Sequence, residues 1–326
     1  MRKILPRCFA LVLCLSITVS TALAAGLTPI RDYAGSGFTD VPNDWSYPYI
    51  SACYELGLMS GHGNGRFAPN GSVSVAEGIT VAARVHHLWR GGDGVLPGGS
   101  PWYAGAVDYA LKNGLITQGQ FSNYNAAATR GQLADLLAKA LPEEDYVATG
   151  VNAAGYTLVP EEDMAGEAVT PLLRSTYWDT VTAIHDYVVN TLTYDPFTAA
   201  PAGATQAIYD EAEAARETAS QEYSLRNNIT LAAKYGICQD YAELFRTMCI
   251  RAGIPCLLVR GTAGGPHVWN MVYVDGEWRY VDCTWDDPVV LPPMLLHDYF
   301  LIGPDQLAQD HSWEGSDYPM PTQAED

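Results

Sequence analysis

Tyr235-Gly236-Ile237-Cys238-Gln239-Asp240-Tyr241-Ala242 is the stretch from which the second half of the chain can be read. After the cysteine, apolar residues return with helical period at Ala242, Phe245, Cys249 and Ala252, flanked by Tyr241, Leu244 and Met248. Gly253 and Pro255 stop the run in the order expected at a helix C-terminus. Cys238 is therefore placed at a helix N-terminus, where free backbone N–H groups and the helix dipole favour an anion and lower a thiol pKa. Gly236 ahead of it leaves room for a substrate backbone to come close. A buried structural cysteine is the alternative, and the rest of the chain has to decide.

Downstream, 256–261 reads as a buried strand, 262–266 as a glycine-rich loop, 267–274 as a second strand and 277–283 as a third. Asp275-Gly276 is a strong hairpin turn. Counting back from it, Val274 faces Glu277 and Trp269 faces Asp282, so His267 lies on the same face as Asp282 and diagonal to it. Diagonal neighbours stand ~7–8 Å apart at the backbone, within reach of an imidazole and a carboxylate. Cysteine, histidine and aspartate in these places suit a thiolate nucleophile, a general acid/base, and a carboxylate that fixes the tautomer of the ring. Asp286 and Asp287 are rejected as the third member by the same count, and they lack the ligand spacing of a calcium site. His185, on a helix expected within 177–195, reads as a surface or half-buried histidine. His297 and His311 read as structural, and Trp269, Trp278 and Trp285 as core or cleft wall. One oxyanion donor is expected from the backbone N–H of Cys238; Tyr235 and Asn228 are the candidates for a second.

Gly-Ile-Cys-Gln-Asp-Tyr-Ala, Ala-Gly-Ile-Pro, His-Val-Trp-Asn and Tyr-Val-Asp-Cys-Thr-Trp-Asp-Asp, in that order, resemble the transglutaminase-like superfamily. Ile184-His185-Asp186-Tyr187, Tyr194-Asp195, His297-Asp298-Tyr299-Phe300-Leu301 and Asp310-His311-x-Trp313 fit its bacterial members. The resemblance spans 171–326 and implies an α+β, papain-like fold with a cysteine-bearing helix on an antiparallel sheet. It implies Cys238, His267 and Asp282 as nucleophile, general acid/base and orienting acid. The implied reaction attacks a peptide or side-chain amide of a protein or peptide substrate through a thioester, without cofactor or metal. Hydrolysis is the expected outcome; amine transfer and an idle binding protein are the alternatives.

The first half is a repeat. Phe38-Thr39-Asp40-Val41, Trp45, a helical run through Ile50, Cys53 and Leu56, Gly57-Leu58, and Phe67-Ala68-Pro69 lead to a helix opened by Ser74-Val75-Ala76-Glu77. The second copy has Trp102, Val107, Ala110, Leu111, Gly114-Leu115 and a helix opened by Thr129-Arg130-Gly131-Gln132. Both helix openings are capping boxes. The copies, at about 36–90 and 98–142, resemble the S-layer homology module, whose fold is all-helical. That resemblance implies attachment to an anionic secondary polymer of a bacterial cell wall, with Arg130, Trp102, Asp40 and Trp45 at the binding surface. Val75 stands where the first copy would carry the arginine.

The chain has 326 residues and a formal net charge of -19. So acidic a chain lacks the field that nucleic acids or anionic lipids require. Residues 1–25 read as a signal peptide: Arg2, Lys3 and Arg7, an apolar stretch too short to span a membrane, and Ala22-Leu23-Ala24. Cys14 lacks the small residues ahead of it that lipidation needs. The expected product is secreted, at the cell surface. It keeps five cysteines, Cys53, Cys238, Cys249, Cys256 and Cys283, an odd number that leaves at least one free thiol. Pairing of Cys249 or Cys256 with Cys283 and plain core burial are both open, and no Cys/His spacing suggests zinc. Residues 143–170 read as an acidic linker, and 198–218 as helix or flexible surface.

Overall fold

A computed structural model describes residues 29–44, 46–141, 164–290 and 292–319. The expected signal peptide, Trp45 and most of the expected linker lie outside the described residues. The described residues fall into two compact units, 29–141 with 315–319, and 164–314.

The first unit is helical: α1 (Tyr47–Glu55), α2 (Val75–Trp89), α3 (Ala104–Lys112) and α4 (Arg130–Lys139). Both expected capping boxes form. Ser74 accepts from the Glu77 N–H and Thr129 from the Gln132 N–H, while the Glu77 and Gln132 side chains accept from the two cap N–H groups. The segments leading into α2 and α4 bond to each other, Val75 N to Ala126 O at 2.9 Å and Ala128 N to Val73 O at 2.8 Å. The two copies are thereby one folding unit rather than two beads. α2 packs on α3 and α4, burying Ile79, Leu133 and Leu136.

In the second unit, α5 (Met164–Val169), α6 (Tyr177–Thr191), β1 (Thr193–Tyr194), α7 (Gln206–Glu222), α8 (Arg226–Ala233) and β2 (Tyr235–Gly236) lead to α9 (Cys238–Arg251). Then come β3 (Cys256–Thr262), β4 (Pro266–Val274), β5 (Glu277–Val281), β6 (Phe300–Ile302), α10 (Pro304–Leu307) and β7 (Ser312–Trp313). The sheet is antiparallel in the order β6-β5-β4-β3-β7. α9 lies across β3 and β4 and against α6. Its Tyr241, Leu244, Phe245 and Met248 bury against Val181, Ile184 and Val188 of α6 and Val272 and Val274 of the sheet.

The hairpin has the counted register, with Val274 opposite Glu277 and Asn270 opposite Val281. Asp275 and Gly276 both have positive φ, 53° and 77°, the signature of the turn whose twist matches the strands. β5 stops at Val281, two residues short of expectation. Asp282 turns out of the ladder because its Oδ1 accepts from the N–H groups of Thr284 and Trp285. The parallel pairing of β1 with β2, Tyr194 opposite Gly236, had no counterpart in the periodicity. Gly261 is required where β7 crosses β3, because a Cβ there would sit 2.1 Å from Ser312 O.

The five cysteines among the described residues are free thiols. Cys249, Cys256 and Cys283 share the core of the second unit, so burial rather than a disulfide accounts for them. Desolvation holds the Cys249 and Cys283 thiols well above the ordinary thiol pKa.

Phe245, fully buried between α6 and the sheet, is expected to carry the packing of α9. Phe245→Ala should lower stability by about 3–5 kcal/mol, read from denaturant unfolding; a loss below about 1 kcal/mol would remove it from the core.

Candidate active site

Cys238 is the first residue of α9, with Ile237 as N-cap. The turn is fixed by Asp240, whose Oδ2 accepts from the Ile237 N–H at 2.9 Å and whose Oδ1 is held by Arg226 Nε at 2.7 Å. Gly236 has a reason different from the expected one. A Cβ there would lie 2.7 Å from the Asp240 Cβ, so the glycine serves the turn rather than a passing substrate.

His267 lies on β4 and reaches two ways. Its Nε2 donates to Asp282 Oδ2 at 2.6 Å. With Nε2 so engaged, Nδ1 is the ring nitrogen left for the neighbouring Cys238 thiol. Asn270, three residues along β4, donates from Nδ2 to Ala242 O at 3.0 Å and Leu257 O at 3.3 Å, pinning the strand to the cysteine helix. Trp269 stacks beside His267, ring centres 5.8 Å apart.

Burial disfavours the Cys238 thiolate. The hydrogen bond and positive charge of His267, with the backbone N–H groups of Val268 and Gln239, outweigh it and hold the thiol below its ordinary pKa. Burial likewise disfavours the imidazolium, but Asp282 and Cys238 prevail and His267 is raised to about 9. Asp282, despite complete burial, stays below the usual carboxylate range because His267 and His311 donate to it. Both shifts favour the thiolate–imidazolium form of the pair over the neutral one.

Sequence reasoning missed several supports. His311, expected to be structural, donates from Nε2 to the same Asp282 Oδ2 at 3.1 Å, and its Nδ1 bonds Asp310. Tyr194 stands on β1 opposite Gly236, and its side chain neighbours Cys238. Of the two residues considered as second oxyanion donors, Asn228 accepts at Oδ1 from the Met164 N–H, and the Tyr235 hydroxyl feels the charge of Glu211. His185 is fully buried rather than half-exposed, because Asp286 Oδ2 accepts from its Nε2 at 3.0 Å. Asp287 accepts from the Tyr241 hydroxyl. Only a motif comparison could have pointed to Tyr194, since Tyr194-Asp195 lies past the end of α6, at a two-residue strand too short to show a period.

In the first unit, Asp40 accepts from the N–H groups of Phe67 and Ala68 at 2.8 and 2.9 Å, and so clamps the loop ahead of α2. Trp102 is 58% exposed and borders a cavity of about 240 Å³ that His62, Phe67, Glu77 and Arg84 also line. Arg130 opens α4.

Residues 163–283 match the transglutaminase-like superfamily. The chain carries a transglutaminase-like domain. Residues 37–77 match the S-layer homology domain. Human kyphoscoliosis peptidase is 34% identical over 93 residues, 23% of this chain and 14% of that protein. A cell surface protein of Thermoanaerobacter kivui is 36% identical over 131 residues, 38% of this chain and 15% of that protein. The chain thus spans about a seventh of the length of these relatives. A solved structure described as the crystal structure of a TGase is 24% identical, with a TM-score of 0.26 over 36% of this chain and 29% of that one. Among the described residues, no helix is long and apolar enough to cross a membrane.

Within the transglutaminase-like domain, Cys238 should be alkylated by iodoacetamide at neutral pH far faster than Cys53, Cys249, Cys256 or Cys283. Its reaction should keep its rate well below the ordinary thiol pKa and lose that acid tolerance in His267→Ala. Uniform labelling, or an unchanged pH profile in the variant, would sink the activated thiolate.

Proposed function

We propose that the protein is an exported, wall-associated cysteine enzyme that attacks peptide or side-chain amides through a thioester, with water as the acceptor. The observation that carries this reading is the Cys238 thiol at the start of α9 beside His267, whose Nε2 donates to the buried Asp282 carboxylate. The thiolate adds to the amide carbonyl. The His267 imidazolium gives its proton to the departing amine, and the neutral ring then takes a proton from water as that water attacks the thioester and releases sulfur. Asp282 holds the ring in the tautomer that presents Nδ1 to sulfur throughout.

The developing oxyanion would be met by the Cys238 backbone N–H, with the Tyr194 hydroxyl as the second donor. That hydroxyl neighbours Cys238, and it would donate to a substrate oxygen arriving there. The similarity to a protein named as a peptidase favours water over an amine. The S-layer homology match and the similarity to a bacterial cell surface protein favour placement at a cell wall. The exposed Trp102 and the neighbouring Arg84 line a concave wall in the same unit, and an anionic polymer suits such a surface.

The test is to incubate the protein with cell-wall peptides and a tagged primary amine and read the products by mass spectrometry. Cleavage without tag is expected. Incorporated tag would replace water by an amine, and no product would leave a binding protein. Cys238→Ala should abolish turnover, while Tyr194→Phe should keep fast alkylation and lower kcat by about 10²-fold. For attachment, Trp102→Ala and Arg130→Ala should each reduce co-sedimentation with purified wall polymer; unchanged pelleting in both would exclude that surface.

A further inference from the structure

A second polar cluster lies on α6, away from the sulfur. His185 Nε2 faces Asp286 Oδ2 at 3.0 Å, and the other Asp286 oxygen accepts from the Tyr299 N–H at 2.9 Å. Asp286 is fully buried and acts as a carboxylate acceptor, so the His185 Nε2 carries its proton. With Nε2 so engaged, Nδ1 is the ring nitrogen that faces Asp186 Oδ1, 3.1 Å away. At that distance the two atoms can share either a hydrogen bond or a cation.

A third donor atom decides which is favoured. His297 Nε2 reaches the same Asp186 Oδ1 at 2.8 Å, and the two imidazole rings lie 4.9 Å apart. The three atoms, His185 Nδ1, Asp186 Oδ1 and His297 Nε2, all fall within 4.8 Å of one another. Ligands ~2.05 Å from a tetrahedral metal are roughly 3.3 Å apart, so the two nitrogen–oxygen separations need only a few tenths of an ångström of opening. The His185–Asp286 bond is the arrangement that orients metal-bound histidines, the non-ligating N–H given to a carboxylate. Asp186 and His297 are 37% and 44% exposed while His185 is not, which gives an ion a solvent route and a rigid seat.

The triad aspartate makes a contrast. Asp282 Oδ2 also meets two imidazoles, but all of His267, Asp282 and His311 are buried, and His267 keeps its other nitrogen for sulfur. There the bridging charge is a proton.

We propose that His185, Asp186 and His297 bind a divalent transition-metal ion of the zinc class, with solvent at the remaining position. Two imidazoles and one carboxylate suit such an ion and not calcium or magnesium. The ion would join α6 to the segment between Asp286 and β6, the segment that follows Asp282. Its role would be to fasten that segment.

The experiment is calorimetric titration of the EDTA-treated full chain with Zn²⁺, in the wild type and in Cys238→Ala, so that binding at the catalytic sulfur is recognised. One equivalent bound in both, with a micromolar or tighter Kd and a thermal midpoint raised by several degrees, is expected. His297→Ala and Asp186→Asn, both at exposed positions that should fold, are each expected to weaken binding at least ~10-fold. Absence of saturable binding up to millimolar Zn²⁺ would overturn the proposal. Binding unchanged in both variants, or lost in Cys238→Ala, would overturn it by placing the ion elsewhere.

Discussion

A carboxylate withdrawn from water stays charged only where hydrogen bonds replace the water it has lost. Asp282 is that carboxylate here. One oxygen takes the N–H groups of Thr284 and Trp285, the other the imidazoles of His267 and His311. The two backbone donors exist because the chain leaves β5 at this residue. The two imidazoles come from β4 and from the turn before β7. The strand end, the hairpin and the C-terminal return of the second unit therefore converge on a single side chain, and the positive charge on His267 beside the Cys238 thiol follows from its charge.

The same logic repeats over the next residues. Asp286 is answered by His185 of α6 and Asp287 by Tyr241 of α9. Burial raises Asp287 to about 6, the Tyr241 bond working against that rise. Three acids within six positions thus address three elements, and the mismatch that removing any one donor would leave is large, because an unpaired buried charge costs several kcal/mol. Asp240 adds a fourth case in front of the sulfur, holding the N-cap while Arg226 and Thr230 hold it. A chain of net charge -19 so spends part of its acidity as internal fastening, while the Cys238 thiol is held down by His267 and the N–H groups of Val268 and Gln239 against the effect of burial.

What could be read in advance followed the range of the interactions. The capping boxes at Ser74 and Thr129 are satisfied within four residues, and the hairpin register within sixteen, so both were visible in the order of residues. Cys238 at a helix start was visible for the same reason. His311, Tyr194 and the His185–Asp286 bond were not, since each joins elements between 29 and 101 residues apart, and neither period nor turn chemistry encodes such a meeting. Gly236 shows the other kind of gap: its presence was noted, but the atom that forbids a larger residue, the Asp240 Cβ, belongs to the helix turn and not to a ligand.

Register is what makes the local and the distant parts compatible. A side chain on a strand changes face with every residue, so a slip of one position between β4 and β5 would send His267 away from Asp282 and Asn270 away from the Ala242 carbonyl together. The two residues are three apart, on opposite faces of β4. One face therefore carries the imidazole to the carboxylate, and the other anchors the strand to the helix bearing the sulfur. Both demands are met only by the register that Asp275 and Gly276 impose through their positive φ angles. The turn at the far end of the hairpin, which touches none of the reactive groups, thereby sets the distance between them.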